Sequence, residues 1–222
     1  REKIFFSIMA FRKAFPMSFK KNKYFVLKNV LNPQTAQIAF EYLKSKRDVL
    51  VHFRSTNYIS KYDEDLGTFT DIQAPNTYSV YGDVLMDTIL QGLKPLMEEK
   101  CETKLFETYS YARLYKKGDE LVRHKDRFSC EISTTLNLGG DVWPIFLEPS
   151  GEVNKRGVQV DLEPGDMLIY RGCELEHWRE PFSGDICGQV FLHYNSVSTE
   201  NAKNNIYDTR PLLGLPASFK RK

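Results

Sequence analysis

The sequence has no run of about twenty consecutive apolar residues, the length a helix needs to cross a bilayer, so no membrane span is expected. It has only four cysteines, Cys101, Cys130, Cys173 and Cys187, and no CxxC spacing. That scarcity argues against a disulfide framework and suits reduced thiols in a cytoplasmic setting. Asn-x-Ser/Thr sequons are also missing. So is a charge excess: the formal net charge is +2, which gives no bulk pull toward nucleic acid or a membrane surface. No basic-aromatic platform for a nucleic acid stands out. The basic clusters at Lys20-Lys21-Asn22-Lys23 and Phe219-Lys220-Arg221-Lys222 read as solvated ends. There is no internal repeat and no low-complexity tract.

What remains is an ordinary globular composition in 222 residues, enough for one domain with a real core. The apolar stretch Ile4 to Phe11 has basic flanks but no convincing cleavage site. It reads as a short strand or amphipathic start rather than a signal peptide. Tyr24 to Leu27 reads as a strand. Asn32-Pro33 opens a helix, since Asn caps well and Pro suits the first helical position. Ala36, Ala39, Phe40 and Leu43 recur at helical spacing through Lys46. Asp48 to Phe53 reads as another strand, and Ser55 to Asn76 as a long loop of the kind that serves as a lid. Val80 to Lys100 reads as a second helix. Its stripe of Val84, Leu85, Ile89, Leu93, Leu96 and Met97 should face the core, and Pro95 should kink or end it.

From Leu105 the period changes to two. Short alternating segments follow, broken by Gly and Pro turns: 105–115, 121–126, 130–138, 142–147, 157–162, 167–170 and 186–194. Such a series predicts a sandwich or barrel. The expected fold is mostly β with flanking helices, around a double-stranded β-helix, or jelly roll. The chain divides into a helical N-terminal buttress with strands (1–104), a catalytic core (105–195) and a tail packed loosely outside (196–222).

Within the core, His124 and Asp126 are two residues apart in Arg123-His124-Lys125-Asp126-Arg127. Residues i and i+2 of an extended strand share a face, so an imidazole and a carboxylate can converge. His177, in Glu174-Leu175-Glu176-His177-Trp178, would complete a two-His-one-carboxylate triad that holds a metal by one face and leaves positions open. The other histidines are His52 and His193, and His193 reads as a core or wall residue.

These residues carry a resemblance. The segment from Tyr109 to Asn195 resembles the Fe(II)- and 2-oxoglutarate-dependent dioxygenases, in their prolyl-4-hydroxylase-like branch. The resemblance rests on Tyr111-Ala112-Arg113-Leu114-Tyr115, His124-Lys125-Asp126, Ser133 to Leu138, Glu163-Pro164-Gly165-Asp166, His177 and Gln189 to Tyr194. It implies Fe(II) held by His124, Asp126 and His177, with 2-oxoglutarate and O₂ as co-substrates and ascorbate as an assay additive. The implied reaction hydroxylates an unactivated C–H bond of a peptide or small molecule, with release of succinate and CO₂. Such enzymes carry an Arg or Lys nine or ten residues after the second histidine to pair the distal carboxylate of 2-oxoglutarate. Here that zone is Ile186-Cys187, and neither can do it. Arg179 is the replacement, because it lies two residues after His177 and its fork suits a carboxylate. Arg171 and Arg127 are the alternatives. Tyr115 and Thr135 fall where related enzymes place hydroxyl donors to 2-oxoglutarate, and Asn137 shares the Thr135 face. The missing cation leaves open a catalytically silent jelly-roll module that binds a metal or ligand. A cupin-type dioxygenase is a further rival, but cupins more often use His-x-His. Oligomeric state is not readable.

Overall fold

The computed structural model describes residues 18–153 and 155–221. The stretch Ile4 to Phe11 lies outside them. A short helix α1 (Phe19–Asn22) leads into β1 (Tyr24–Leu27). Helix α2 (Pro33–Ser55) opens where expected: the Asn32 side chain accepts a hydrogen bond from the Thr35 N–H, with Pro33 at the first position. It does not stop at Lys46. The expected strand at 48–53 is its last two turns, because Leu50 continues the stripe of Leu43 into the core while Val49 and Val51 face solvent. In a strand, residues 49 and 51 would have shared one face and 50 the other, the same alternation; only the residue count along the stripe separates the two readings.

Strand β2 (Tyr78–Tyr81) follows the loop, and helix α3 (Val84–Cys101) starts later than expected, capped by Asp83, whose carboxylate accepts from the N–H groups of Leu85 and Met86. The helix continues through Pro95. Its buried side is Met86, Leu90 and Met97, with Leu85, Ile89 and Leu93 half-buried beside it, while Val84 is exposed. The strands then run β3 (Leu105–Lys116), β4 (Leu121–His124), β5 (Ile132–Gly140), β6 (Ile145–Leu147), β7 (Val158–Val160), β8 (Met167–Arg171), β9 (His177–Arg179) and β10 (Ile186–Ser196). They form a six-stranded sheet, ordered β1-β8-β5-β10-β3-β2, and a four-stranded sheet, ordered β4-β9-β6-β7. Every pairing is antiparallel. This is the expected jelly roll, with β1 and β2 from the N-terminal part as the outer strands of the large sheet.

Strand parity assigns the faces. Ala112 and Leu114 of β3, Leu136 and Leu138 of β5, Met167 and Ile169 of β8, and Val190, Leu192 and Tyr194 of β10 share one core with Phe40, Leu43 and Leu50 of α2 and with α3. Phe40 lies so close on Gly188 that a side chain there would have no room. The alternate residues of the same strands, among them Tyr111, Arg113, Ser133, Thr135, Tyr170, Phe191 and His193, are the other face. That face supplies the polar interior. The tail is not loose. Asp208 and Arg210 are buried, with Arg210 bonded to Asp87 of α3 and Asp208 to Arg127, Tyr81 and Lys220. No described helix is long and apolar enough to cross a membrane.

Candidate metal centre

Strands β4 and β9 pair with His124 directly opposite His177. The two rings therefore meet, with centroids 4.3 Å apart. Asp126 lies just past the end of β4, where its N–H donates to the Gly172 carbonyl at 2.9 Å. Its Oδ1 is 3.7 Å from His124 Nε2 and 3.5 Å from His177 Nε2. One ligand atom from each of the three lies within 4.8 Å of the others. Both Nδ1 atoms are engaged by backbone carbonyls, His124 with Val122 at 2.7 Å and His177 with Leu175 at 3.1 Å. A carbonyl only accepts, so each ring carries its proton on Nδ1 and leaves a bare Nε2 for a metal.

The charge states agree. Burial, and then the neighbouring His177, hold the His124 pKa below the usual histidine value. Burial would raise the Asp126 carboxyl, but its polar neighbours, among them His177, His193 and the Ser133 hydroxyl that donates to it, outweigh burial and hold it well below the carboxylate range. A neutral imidazole and a carboxylate are therefore presented at neutral pH, which is the donor set a divalent ion requires. Behind the site, Arg123 donates to Glu176 at 2.6 Å and lies over the Trp178 ring, tying β4 to β9 on their outer face.

A second cluster, Asp126, Cys130 and His193, is equally compact. It is a poorer donor set: burial pushes the Cys130 thiol up to about 12, and the Ser133 hydroxyl already sits on Asp126 Oδ2 at 2.7 Å.

Arg179 is one of the most deeply buried side chains of the protein, 2% exposed. No carboxylate pairs with it among the described residues. Its Nη1 donates to the Trp143 carbonyl, its Nη2 reaches Thr135 Oγ1 at 3.4 Å, and its Nε has no partner. Burial pulls its pKa below the ordinary arginine value, although a guanidinium remains charged. Cys187, Tyr115 and Tyr170 are its charge neighbours. The alternatives differ. Arg171 pairs with Glu174 at 2.8 Å and Arg127 with Asp208 at 2.9 Å. Thr135 donates to Gln189 Oε1 at 3.1 Å, Tyr115 receives a hydrogen bond from Arg113 at 3.0 Å, and Asn137 is spent on the Leu162 carbonyl.

A cavity of about 520 Å³ opens over His124, Asp126 and His177. Its wall includes Tyr109, Tyr111, Arg113, Tyr170, Phe191 and His193. Asp71, Ile72 and Gln73 of the long loop also line it, as does Lys220 from the tail. The loop is latched there: Asp71 Oδ2 accepts from Tyr111 at 2.6 Å and from both Nε and Nη2 of Arg113, while Gln73 Oε1 accepts from Nη2 at 2.8 Å.

No protein-family profile matches the sequence, and no curated protein matches it as a relative. Solved structures do match in shape. A Pseudomonas putida prolyl-4-hydroxylase superposes with a TM-score of 0.59 at 14% identity, over 80% of this chain and 95% of that one. The non-haem α-ketoglutarate-dependent epimerase SnoN from nogalamycin biosynthesis gives 0.59 at 15% identity, over 89% and 91%. HygX from Streptomyces hygroscopicus, solved with nickel and 2-oxoglutarate bound, gives 0.54 at 12% identity, over 81% and 85%. The chain has the fold of the 2-oxoglutarate oxygenases. At such identities the likeness concerns architecture, and the chemistry must be argued from the residues.

Several residues of the site escaped the sequence. Arg113 and Ser133 stand in runs that carry the resemblance, but neither has a role of its own there. Tyr170 looks like an ordinary strand residue. Gly172 gave no signal at all: a Cβ there would collide with the Asp126 carboxylate, the Cys130 carbonyl and the Ser133 hydroxyl. Only the fold brings these four groups together.

Proposed function

We propose that this protein is an Fe(II)- and 2-oxoglutarate-dependent oxygenase that hydroxylates an unactivated C–H bond of a peptidyl residue or small molecule. One observation carries the reading. Two bare imidazole nitrogens and a carboxylate converge on a cavity, and two residues beyond the second histidine stands a buried guanidinium with no counter-ion among the described residues. The first feature suits a divalent metal. The second suits an anion, because a desolvated charge without a partner is costly.

His124, Asp126 and His177 would hold the metal. Bound Fe(II), with 2-oxoglutarate and O₂, supplies the oxidising power, and succinate and CO₂ leave. Arg179 would pair the distal carboxylate of 2-oxoglutarate. Tyr170, kept protonated by burial, Thr135 and Tyr115 surround that cation with hydroxyl groups. Arg179 and Cys187 are neighbours, which supports the guanidinium as the replacement for the cation missing at 186–187. Substrate would enter the cavity under the 71–73 segment. Its volume lies in the range of small-molecule sites and equally admits one side chain of a peptide.

The test is succinate formation from 2-oxoglutarate with Fe(II) and ascorbate, for the parent and for His124→Ala. Turnover in the parent alone is expected. Metal binding without succinate under any substrate would favour the silent module instead.

A further inference from the structure

Behind Asp126 stand a buried serine and a buried histidine. Ser133 of β5 and His193 of β10 are direct cross-strand partners. Ser133 is fully buried and His193 is 6% exposed. Ser133 Oγ lies 2.7 Å from Asp126 Oδ2, 3.0 Å from the Cys130 carbonyl and 3.0 Å from His193 Nδ1. We propose that Ser133 and His193 are positioning residues, a relay that turns the Asp126 carboxylate so that Oδ1 alone faces the metal.

Proton accounting sets the direction of the relay. A serine hydroxyl has one hydrogen to give. The carboxylate is its nearest and strongest acceptor, so the hydrogen goes to Asp126 Oδ2. The hydroxyl oxygen then accepts from His193, which must carry its proton on Nδ1. The reverse arrangement, with His193 accepting, would leave a hydroxyl lone pair facing a carboxylate oxygen at 2.7 Å, which is repulsive. The 3.0 Å contact with Ser133 Oγ fixes the site of the His193 proton. The ring is braced from behind by Tyr109, with centroids 4.6 Å apart. Gly172 closes the space at the same Oδ2 end of the carboxylate. Asp126 is thus held by a hydroxyl on Oδ2, a backbone on its own N–H and a wall at Gly172. Only Oδ1 is left toward His124 and His177.

This inference rests on the metal-centre reading, and the experiment separates the two. Mn(II) is titrated into the metal-free protein and followed by the paramagnetic resonance of the free ion, for the parent, His124→Ala, Ser133→Ala, Ser133→Thr, His193→Phe and His193→Asn. Hydrogen-bonding partners of metal ligands are typically worth about 10–100-fold in affinity. Ser133→Ala is therefore expected to weaken Mn(II) by about tenfold or more, and Ser133→Thr to bind like the parent. His193→Phe should weaken binding, whereas His193→Asn, whose amide N–H replaces the Nδ1–H, should restore it. The ligand-field absorption of Co(II) should change in Ser133→Ala and not in Ser133→Thr. Parent-like affinity in Ser133→Ala, or equal losses in His193→Asn and His193→Phe, would overturn the relay while leaving the metal site intact. A parent no better than His124→Ala would overturn both.

Discussion

Arg179, with no counter-ion among the described residues, is the most consequential single residue of this site. It is buried and charged, and its Nε has no partner among the described residues. Truncating one partner of a buried charge pair typically costs about 2–5 kcal/mol. Arg179→Met should therefore weaken 2-oxoglutarate binding to the Mn(II)-loaded protein by about 30-fold or more, with Mn(II) affinity itself nearly unchanged. Calorimetric titration of each ligand in turn checks this, and an unchanged 2-oxoglutarate affinity would place the anchor elsewhere. Arg179→Lys should recover only part, because an ammonium cannot make the bidentate contact. At this scale much was legible. A two-residue spacing in an extended segment puts His124 and Asp126 together, and Arg179 follows His177 by the same rule. The relay was not legible, since Ser133 and His193 meet only through the register of β5 against β10.

Elements were read well where period and caps agreed, and poorly where they conflicted. Asn32 and Pro33 announced α2, and alternation announced β3, β5 and β10. The valines at 49 and 51 suggested a strand, but the helix absorbs them on its solvent side. Stability measurements distinguish the two outcomes. Leu50→Ala should cost about 2–5 kcal/mol, as a fully buried leucine, whereas Val51→Ala should change stability by less than about 0.5 kcal/mol. Chemical denaturation of both variants is the check.

The 56–77 loop gives the second element-scale prediction. Burial raises the Asp71 carboxyl, but the charge of Arg113 and the hydrogen bonds from Tyr111, Gln73 and Arg113 outweigh it and hold it below the ordinary value of 3.8. A group depressed on folding stabilises above its unfolded pKa and loses that contribution as pH falls through the folded one. The latch should therefore hold unchanged from neutral pH to about pH 5 and release only below the ordinary carboxylate value. Asp71→Asn should mimic that release at neutral pH. Each hydrogen bond to a charged group is worth about 1.5–3 kcal/mol, so cleavage within the loop by a protease of broad specificity should quicken by about tenfold or more. Equal cleavage rates would mean that the loop is held elsewhere.

Across the whole molecule, the helices cover one face of the large sheet and leave the other to a polar interior. The core that α2 and α3 share with the sheet is continuous and apolar, and the opposite face holds Arg113, Ser133, Thr135 and His193. Helical spacing and strand parity expose that division in the sequence. The tail hid its role because its hold is polar, through Asp208 and Arg210, and has no period to detect. Ligands that bind only the folded state stabilise it by mass action, about 2.7 kcal/mol at a hundredfold excess over Kd. For a domain of this size each kcal/mol corresponds to about 2–4 °C. Mn(II) and 2-oxoglutarate together should raise the unfolding temperature by several degrees, 2-oxoglutarate alone by much less, and neither should affect His124→Ala.

Diffraction from crystals grown with Mn(II) and 2-oxoglutarate, recorded with the anomalous signal of manganese, is the most direct measurement. The expected result is a peak bounded by His124 Nε2, Asp126 Oδ1 and His177 Nε2, with the distal carboxylate of 2-oxoglutarate on Arg179. A manganese peak away from those three atoms, or a carboxylate seated on Arg113 or Arg127 with Arg179 untouched, would contradict it.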